Sequence, residues 1–161
     1  MHNISFKVLG TIRTPYKEPE GMPIQGIFKP DPIGYAEIFD EYKDCLKGVD
    51  MFSHLMFFYY FHTVTDEKMI HQPYLEDVDY GSFATRNNKR LNKLGFSVVK
   101  FERLDGNRVY FSEVDILDET PLLDIKPYVT YFDFRQNMCC GWYDKHFRDG
   151  NIPERTILKK S

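Results

Sequence analysis

A mainly β domain, a small closed or nearly closed β-barrel with few short helices, is the fold class this 161-residue sequence predicts. Apolar residues recur with period two or in short continuous runs, and a long period-3.6 stripe is rare. Aromatic residues make up 16% of the chain, 14 Phe and 11 Tyr against one Trp, a content that suits strands and excludes disorder. Proline and glycine interrupt the apolar segments, so the strands are short and their connections irregular.

The elements follow in chain order. Residues 4–14 (ISFKVLGTIRT) read as a first strand ended by Pro15, and five prolines between Pro15 and Pro32 impose a long irregular loop. Residues 33–39 (IGYAEIF) read as a second strand. A short helix over 40–48 has Asp40 as N-cap and Gly48 at C′. The aromatic run 54–62 (HLMFFYYFH) reads as a strand buried on both faces. After a polar loop and the segment Phe83–Arg86, residues 96–104 and 108–117 flank Asp105-Gly106-Asn107, the clearest hairpin signal in the chain. A last extended segment covers Leu122–Tyr131. The expected organisation is a barrel over 1–133 and a tail over 134–161 that packs on the barrel or on a partner subunit.

Composition narrows the function. The 21 Lys and Arg against 24 Asp and Glu leave a charge of −3, which argues against a generally basic nucleic-acid binder but leaves room for a local patch. Cys45, Cys139 and Cys140 show no CxxC spacing, so neither a disulfide framework nor a metal site is suggested. No apolar run approaches the ~20 residues of a membrane span and residues 1–20 carry no signal segment, so a cytoplasmic protein without membrane contact is expected. GxGxxG, Walker, HExxH and GxSxG patterns do not occur.

Three groups of residues have chemical potential. Arg86, Lys89, Arg90 and Lys93 put four positive charges into eight residues, either a phosphate- or carboxylate-holding loop or a solvated turn. His62 and His54 close and open one aromatic run, about 26 Å apart if it is extended, too far to share a metal. Asp115, Asp118, Asp124 and Lys126 surround Thr120-Pro121, where carboxylates serve either a ligand amine or hydroxyl or ordinary turn chemistry.

The fragments LGTIRTPYK at 9–17, Pro23-x-Gln25, FSHLMFFYYFH at 52–62, GSFATR at 81–86, Asn92, Gly95-Phe96-Ser97 and DILDETPLLDIKPY at 115–128 occur in an order that resembles the TrmO (YaeB, TsaA-like) family of β-barrel S-adenosylmethionine-dependent tRNA methyltransferases. The resemblance implies a homodimer with S-adenosyl-L-methionine near the subunit interface. It also implies methyl transfer to N6 of threonylcarbamoyl-modified adenosine at tRNA nucleotide 37. Carried over by position, the cofactor contacts are Pro23, Ile24, Gln25, His62, Thr63, Arg86, Phe96, Asp115, Ile116, Leu117 and Asp118. Lys89, Arg90 and Lys93 are expected to meet nucleic acid. Asp124, Lys126 and Tyr128 are the candidates for assisting loss of the N6 proton. One departure stands out: where the family has RPNPIG, this chain has Arg90-Leu91-Asn92-Lys93-Leu94-Gly95, without either proline.

Overall fold

Alternation of buried with more exposed residues marks β1 (Gly10–Arg13), β2 (Gly34–Ile38), β3 (His54–Tyr60), most of β7 (Arg108–Ser112) and the first halves of β6 (Leu94–Asp105) and β8 (Thr120–Pro127). Two short strands, β4 (Ile70–His71) and β5 (Tyr80–Gly81), pair separately. In the computed structural model, which describes residues 3–159, the six longer strands close into an antiparallel barrel ordered β1-β2-β7-β6-β3-β8. The outermost residues of the two expected regions, 1–2 and 160–161, lie outside the described residues. Period-two side chains turn alternate residues inward, so each strand gives two or three residues to one core. That core contains Ile12, Ala36, Leu55, Phe57, Val99, Val109, Phe111 and Leu122. Phe57 and Phe111 meet edge to face at 4.8 Å, filling an interior too narrow for a channel.

The strand expected over 54–62 is present as β3 but is not buried on both faces. Leu55, Phe57 and Tyr59 point into the core, whereas Met56 and Phe58 are half-exposed and His62 lies in a turn beyond the strand. The expected helix over 40–48 is a 3-10 helix, Asp40–Leu46, in which Asp40 sits inside the element and Phe39 at its N-cap. Gly48, left-handed at φ +85°, leads directly into a second short turn, Val49–Met51. The hairpin closes between Asp105 and Arg108, with Gly106 at φ +61°, the conformation a primed two-residue turn demands. Its second strand stops at Ser112, five residues early, because Glu113 turns left-handed at φ +59° and takes the chain out of the sheet. The first strand is likewise shorter than expected, and the last ends at Pro127 before a four-residue helix α1 (Thr130–Asp133).

The tail continues through a second four-residue helix, α2 (Asp144–Phe147). It is fastened to the 70–81 region by Glu76, whose side chain is 1% exposed and accepts from Lys145 Nζ at 2.6 Å, from His146 and from the Tyr80 hydroxyl at 3.2 Å. The hydrogen bonds from Lys145 and His146 hold the Glu76 carboxyl below the usual range. Glu76→Gln therefore frees the tail, seen as faster trypsin cleavage at Lys145 and Arg148. A digestion rate equal to that of the unaltered protein would show that this buried cluster does not hold the tail.

Candidate functional site

The segment 113–119 is bracketed by two left-handed residues, Glu113 and Glu119 at φ +59° and +64°, and so stands off the sheet at the barrel rim. Its two aspartates sit in opposite environments. Asp115 accepts from Ser97 Oγ at 2.5 Å and from the Gly26 amide at 3.2 Å, and burial pushes its carboxyl up to about 6 against those hydrogen bonds. Asp118 accepts from the Thr14 amide at 3.0 Å and from Lys17, with Arg13 3.7 Å away. Although burial works in the other direction, these partners hold Asp118 below the usual carboxylate range. Asp118 is thus fully engaged as an anchor between β1 and the rim. Asp115 is the carboxylate held in reserve.

Ser97 reaches Asp115 because the alternation of β6 points it inward between Gly95 and Val99. The Tyr59 hydroxyl bonds to Ser97 Oγ at 2.9 Å, and burial pushes that phenol well above its ordinary range. Tyr16 adds an unusual feature. Its side chain is buried, its hydroxyl has no partner, and burial together with the charge of Asp115 raises its pKa. A buried hydroxyl without a hydrogen bond is uncommon, and this one lies close enough to Asp115 to feel its charge.

Arg86 leaves the 3-10 turn Ser82–Ala84 and donates to Gln25 Oε1 at 3.0 Å, with its guanidinium 5.8 Å from the centre of the Phe96 ring. Gln25 is a neutral acceptor, so the positive charge of Arg86 is not cancelled by it. Pro23, Ile24 and Gln25 stand together beside Arg86, while His62 and Thr63 are exposed in the turn after β3, His62 Nδ1 lying 3.4 Å from Thr120 Oγ1. The backbone carbonyls of Ile116 and Leu117 already accept from Thr14 Oγ1 and Thr120 Oγ1 at 2.8 and 2.7 Å.

The remaining candidates are placed differently. Asp124 lies opposite Phe58 and Phe58 opposite Phe96, so Asp124 is two strands away from Phe96, roughly 10 Å. Asp124 pairs with Lys126 at 2.8 Å and lines the edge of an apolar cavity of about 280 Å³, while the Tyr128 amide bonds back to His54. Within the chain these three side chains do not join the Arg86 and Asp115 cluster. The basic segment is also internally committed: Lys89 pairs with Asp66 at 3.0 Å, Lys93 with Glu67 at 3.6 Å, and Arg90 donates to the carbonyls of Thr85 and Asn87. Among the described residues no three metal-ligating side chains gather, and no helix is long and apolar enough to cross a membrane.

Sequence reasoning missed Gly26, Ser97, Tyr59 and Tyr16 as site residues. A signal existed for Ser97, a polar residue at a core position of an alternating strand, but none marked Tyr16 or Gly26.

The molecule is thus a closed six-stranded antiparallel β-barrel with Arg86, the buried Asp115 carboxylate and the unpartnered Tyr16 hydroxyl gathered on one side. The family model for the tRNA-methyltransferase O N-terminal domain matches residues 11–134, and the chain belongs to this family. A probable S-adenosyl-L-methionine-binding protein of Pyrococcus abyssi is 42% identical over 143 residues, covering 89% of this chain and 78% of the relative. A mouse tRNA (adenine(37)-N6)-methyltransferase is 36% identical over 104 residues, covering 63% of this chain and 24% of that protein. The crystal structure of TrmO from Pseudomonas aeruginosa superposes with a TM-score of 0.75 at 31% identity, over 88% of this chain and 63% of that one. The chain thus spans most of the archaeal relative but under two thirds of the bacterial structure and about a quarter of the mouse protein.

Proposed function

We propose that this chain is an S-adenosylmethionine-dependent methyltransferase whose acceptor is N6 of the threonylcarbamoyl-modified adenosine at tRNA nucleotide 37, and that it works as a homodimer. The observation that carries the reading is the meeting of Arg86, Asp115 and the unpartnered Tyr16 hydroxyl on a barrel of this family. S-adenosylmethionine has a carboxylate, an ammonium, a ribose diol, an adenine and a sulfonium whose methyl is already activated for transfer. Arg86 suits the carboxylate through charge-assisted hydrogen bonds, and Asp115 suits the ammonium or the ribose hydroxyls. Phe96, with Arg86 over its face, provides an aromatic wall.

The chain's own contribution is alignment. Methyl transfer is an in-line displacement, and holding donor and acceptor in one geometry accounts for most of what a protein adds. Asp115 is fixed by Ser97 and Gly26, and Arg86 by Gln25, so both are oriented before any ligand arrives. Proton loss from N6 is assigned to Asp124, Lys126 or Tyr128. Because these stand apart from the cluster within one protomer, they reach the acceptor from the partner subunit in this reading.

The test uses tRNA from cells lacking this protein, incubated with the protein and S-adenosylmethionine. The expected result is a gain of one methyl on the modified nucleoside, and Arg86→Ala weakens cofactor binding by about 1.5–3 kcal/mol in calorimetry. Unmethylated tRNA with cofactor binding intact would overturn the acceptor. It would favour a small-molecule acceptor, a reading that the internally paired Lys89 and Lys93 support.

A further inference from the structure

The tail beyond the family match touches both loops that carry the proposed cofactor groups. Residues 156–158 run antiparallel to 21–24: the Ile24 amide donates to the Thr156 carbonyl at 2.8 Å, the Leu158 amide to Met22 at 2.8 Å and the Gly21 amide to Leu158 at 2.9 Å. This fixes the backbone immediately before Gln25. At the other loop, Trp142 Nε1 donates to the Ala84 carbonyl at 2.8 Å, two residues before Arg86. The indole stacks with Tyr143 at 3.6 Å and with Tyr80 at 5.5 Å. Phe147 stacks on Phe28 at 5.5 Å with planes 3° apart, three residues past Gln25. The two loops meet each other through the Arg86–Gln25 hydrogen bond, and the tail grips each of them on either side of that contact.

We propose that residues 141–158 form a strap that positions Arg86 and Gln25 for the cofactor, with Trp142 as the positioning residue acting through Arg86; this rests on the cofactor site assigned above. A bare loop leaves Arg86 free to sample many rotamers, and a long cationic side chain held in place loses less freedom when it binds. The indole N–H pins the turn from which Arg86 leaves, and the stacked ring keeps that N–H aimed.

Trp142→Phe retains a ring for stacking and removes the donor. Its affinity for S-adenosylmethionine, measured by calorimetry well below the unfolding temperature, is expected to fall about three- to tenfold. In the Arg86→Ala background the same substitution is expected to cost nothing further, a non-additivity that a merely structural role would not produce. If Arg86→Ala weakens binding while Trp142→Phe does not, or if the two costs add, the strap is wrong and the cofactor site stands. If Arg86→Ala leaves affinity unchanged, the site and the strap fall together. Should Trp142→Phe fail to fold, Phe147→Leu against Gln25→Ala gives the equivalent cycle at the other loop, with the same outcomes.

Discussion

Gly26→Ala lowers stability by about 3 kcal/mol, roughly 6–12 °C in Tm, and weakens cofactor binding by at least tenfold. A Cβ at position 26 would stand 1.7 Å from the Glu113 carbonyl oxygen and 2.3 Å from its carbon. Both are backbone atoms, and Glu113 already holds a left-handed φ, so neither side can yield cheaply. Relief comes only by moving the 24–28 loop away from the rim. That movement also breaks the hydrogen bond from the Gly26 amide to Asp115 and shifts Gln25 relative to Arg86. Thermal denaturation and calorimetry on the purified variant measure the two effects together. An unchanged Tm would show that the loop does not rest on Glu113, and unchanged affinity would separate the loop from the cofactor site.

The second large effect concerns Asp115 and pH. Burial raises its carboxyl from 3.8 to about 6, so between those values the folded protein binds more protons than the unfolded chain. Stability therefore falls as pH rises through this window. At ~1.4 kcal/mol per pH unit the ionised carboxylate costs about 3 kcal/mol above pH 6. Asp118 and Glu76 have lowered pKa values and work in the opposite sense, but their contribution disappears only as pH falls below the ordinary carboxylate range. Asp115→Asn removes the cost but leaves either Ser97 or the Gly26 amide poorly paired, so a net gain of about 1–2 kcal/mol at pH 7.5 is expected for the cofactor-free protein. The gain vanishes near pH 4.5, and cofactor affinity drops. Parallel stability curves for the two proteins between pH 4.5 and 8 would remove Asp115 as the source of the slope.

The barrel was legible because inward and outward residues alternate without exception in β1, β2 and β3, and because Gly106 sits where only a tight turn could hold it. What misled the reading was local. The run 108–117 looks continuous, yet the left-handed turn at Glu113 depends on Gly26 packing against it from 87 residues away, a contact that no local pattern carries. The aromatic density of 54–62 suggested burial on both faces. In a six-stranded barrel only one face of a strand can enter the core, and Met56 and Phe58 were left half-exposed. Within the site, Arg86, Gln25 and Asp115 were reached through the family motifs and do come together in space. Tyr16 and Trp142 were not reached, since one hydroxyl in a proline-rich loop and one indole in a polar tail look like ordinary residues until the fold sets them beside Asp115 and Ala84.

The paired state of Lys89 and Lys93 changes how an anionic acceptor would be won. Each lysine already has a carboxylate, from Asp66 or Glu67, occupying the position a phosphate would take. A nucleic acid arriving there displaces a tethered anion as well as its own mobile cations, so the net gain per contact is smaller than at a bare lysine. On the proposed reading of a tRNA acceptor, such a surface would favour a ligand able to engage several of these positions at once and would give unrelated polyanions little to hold.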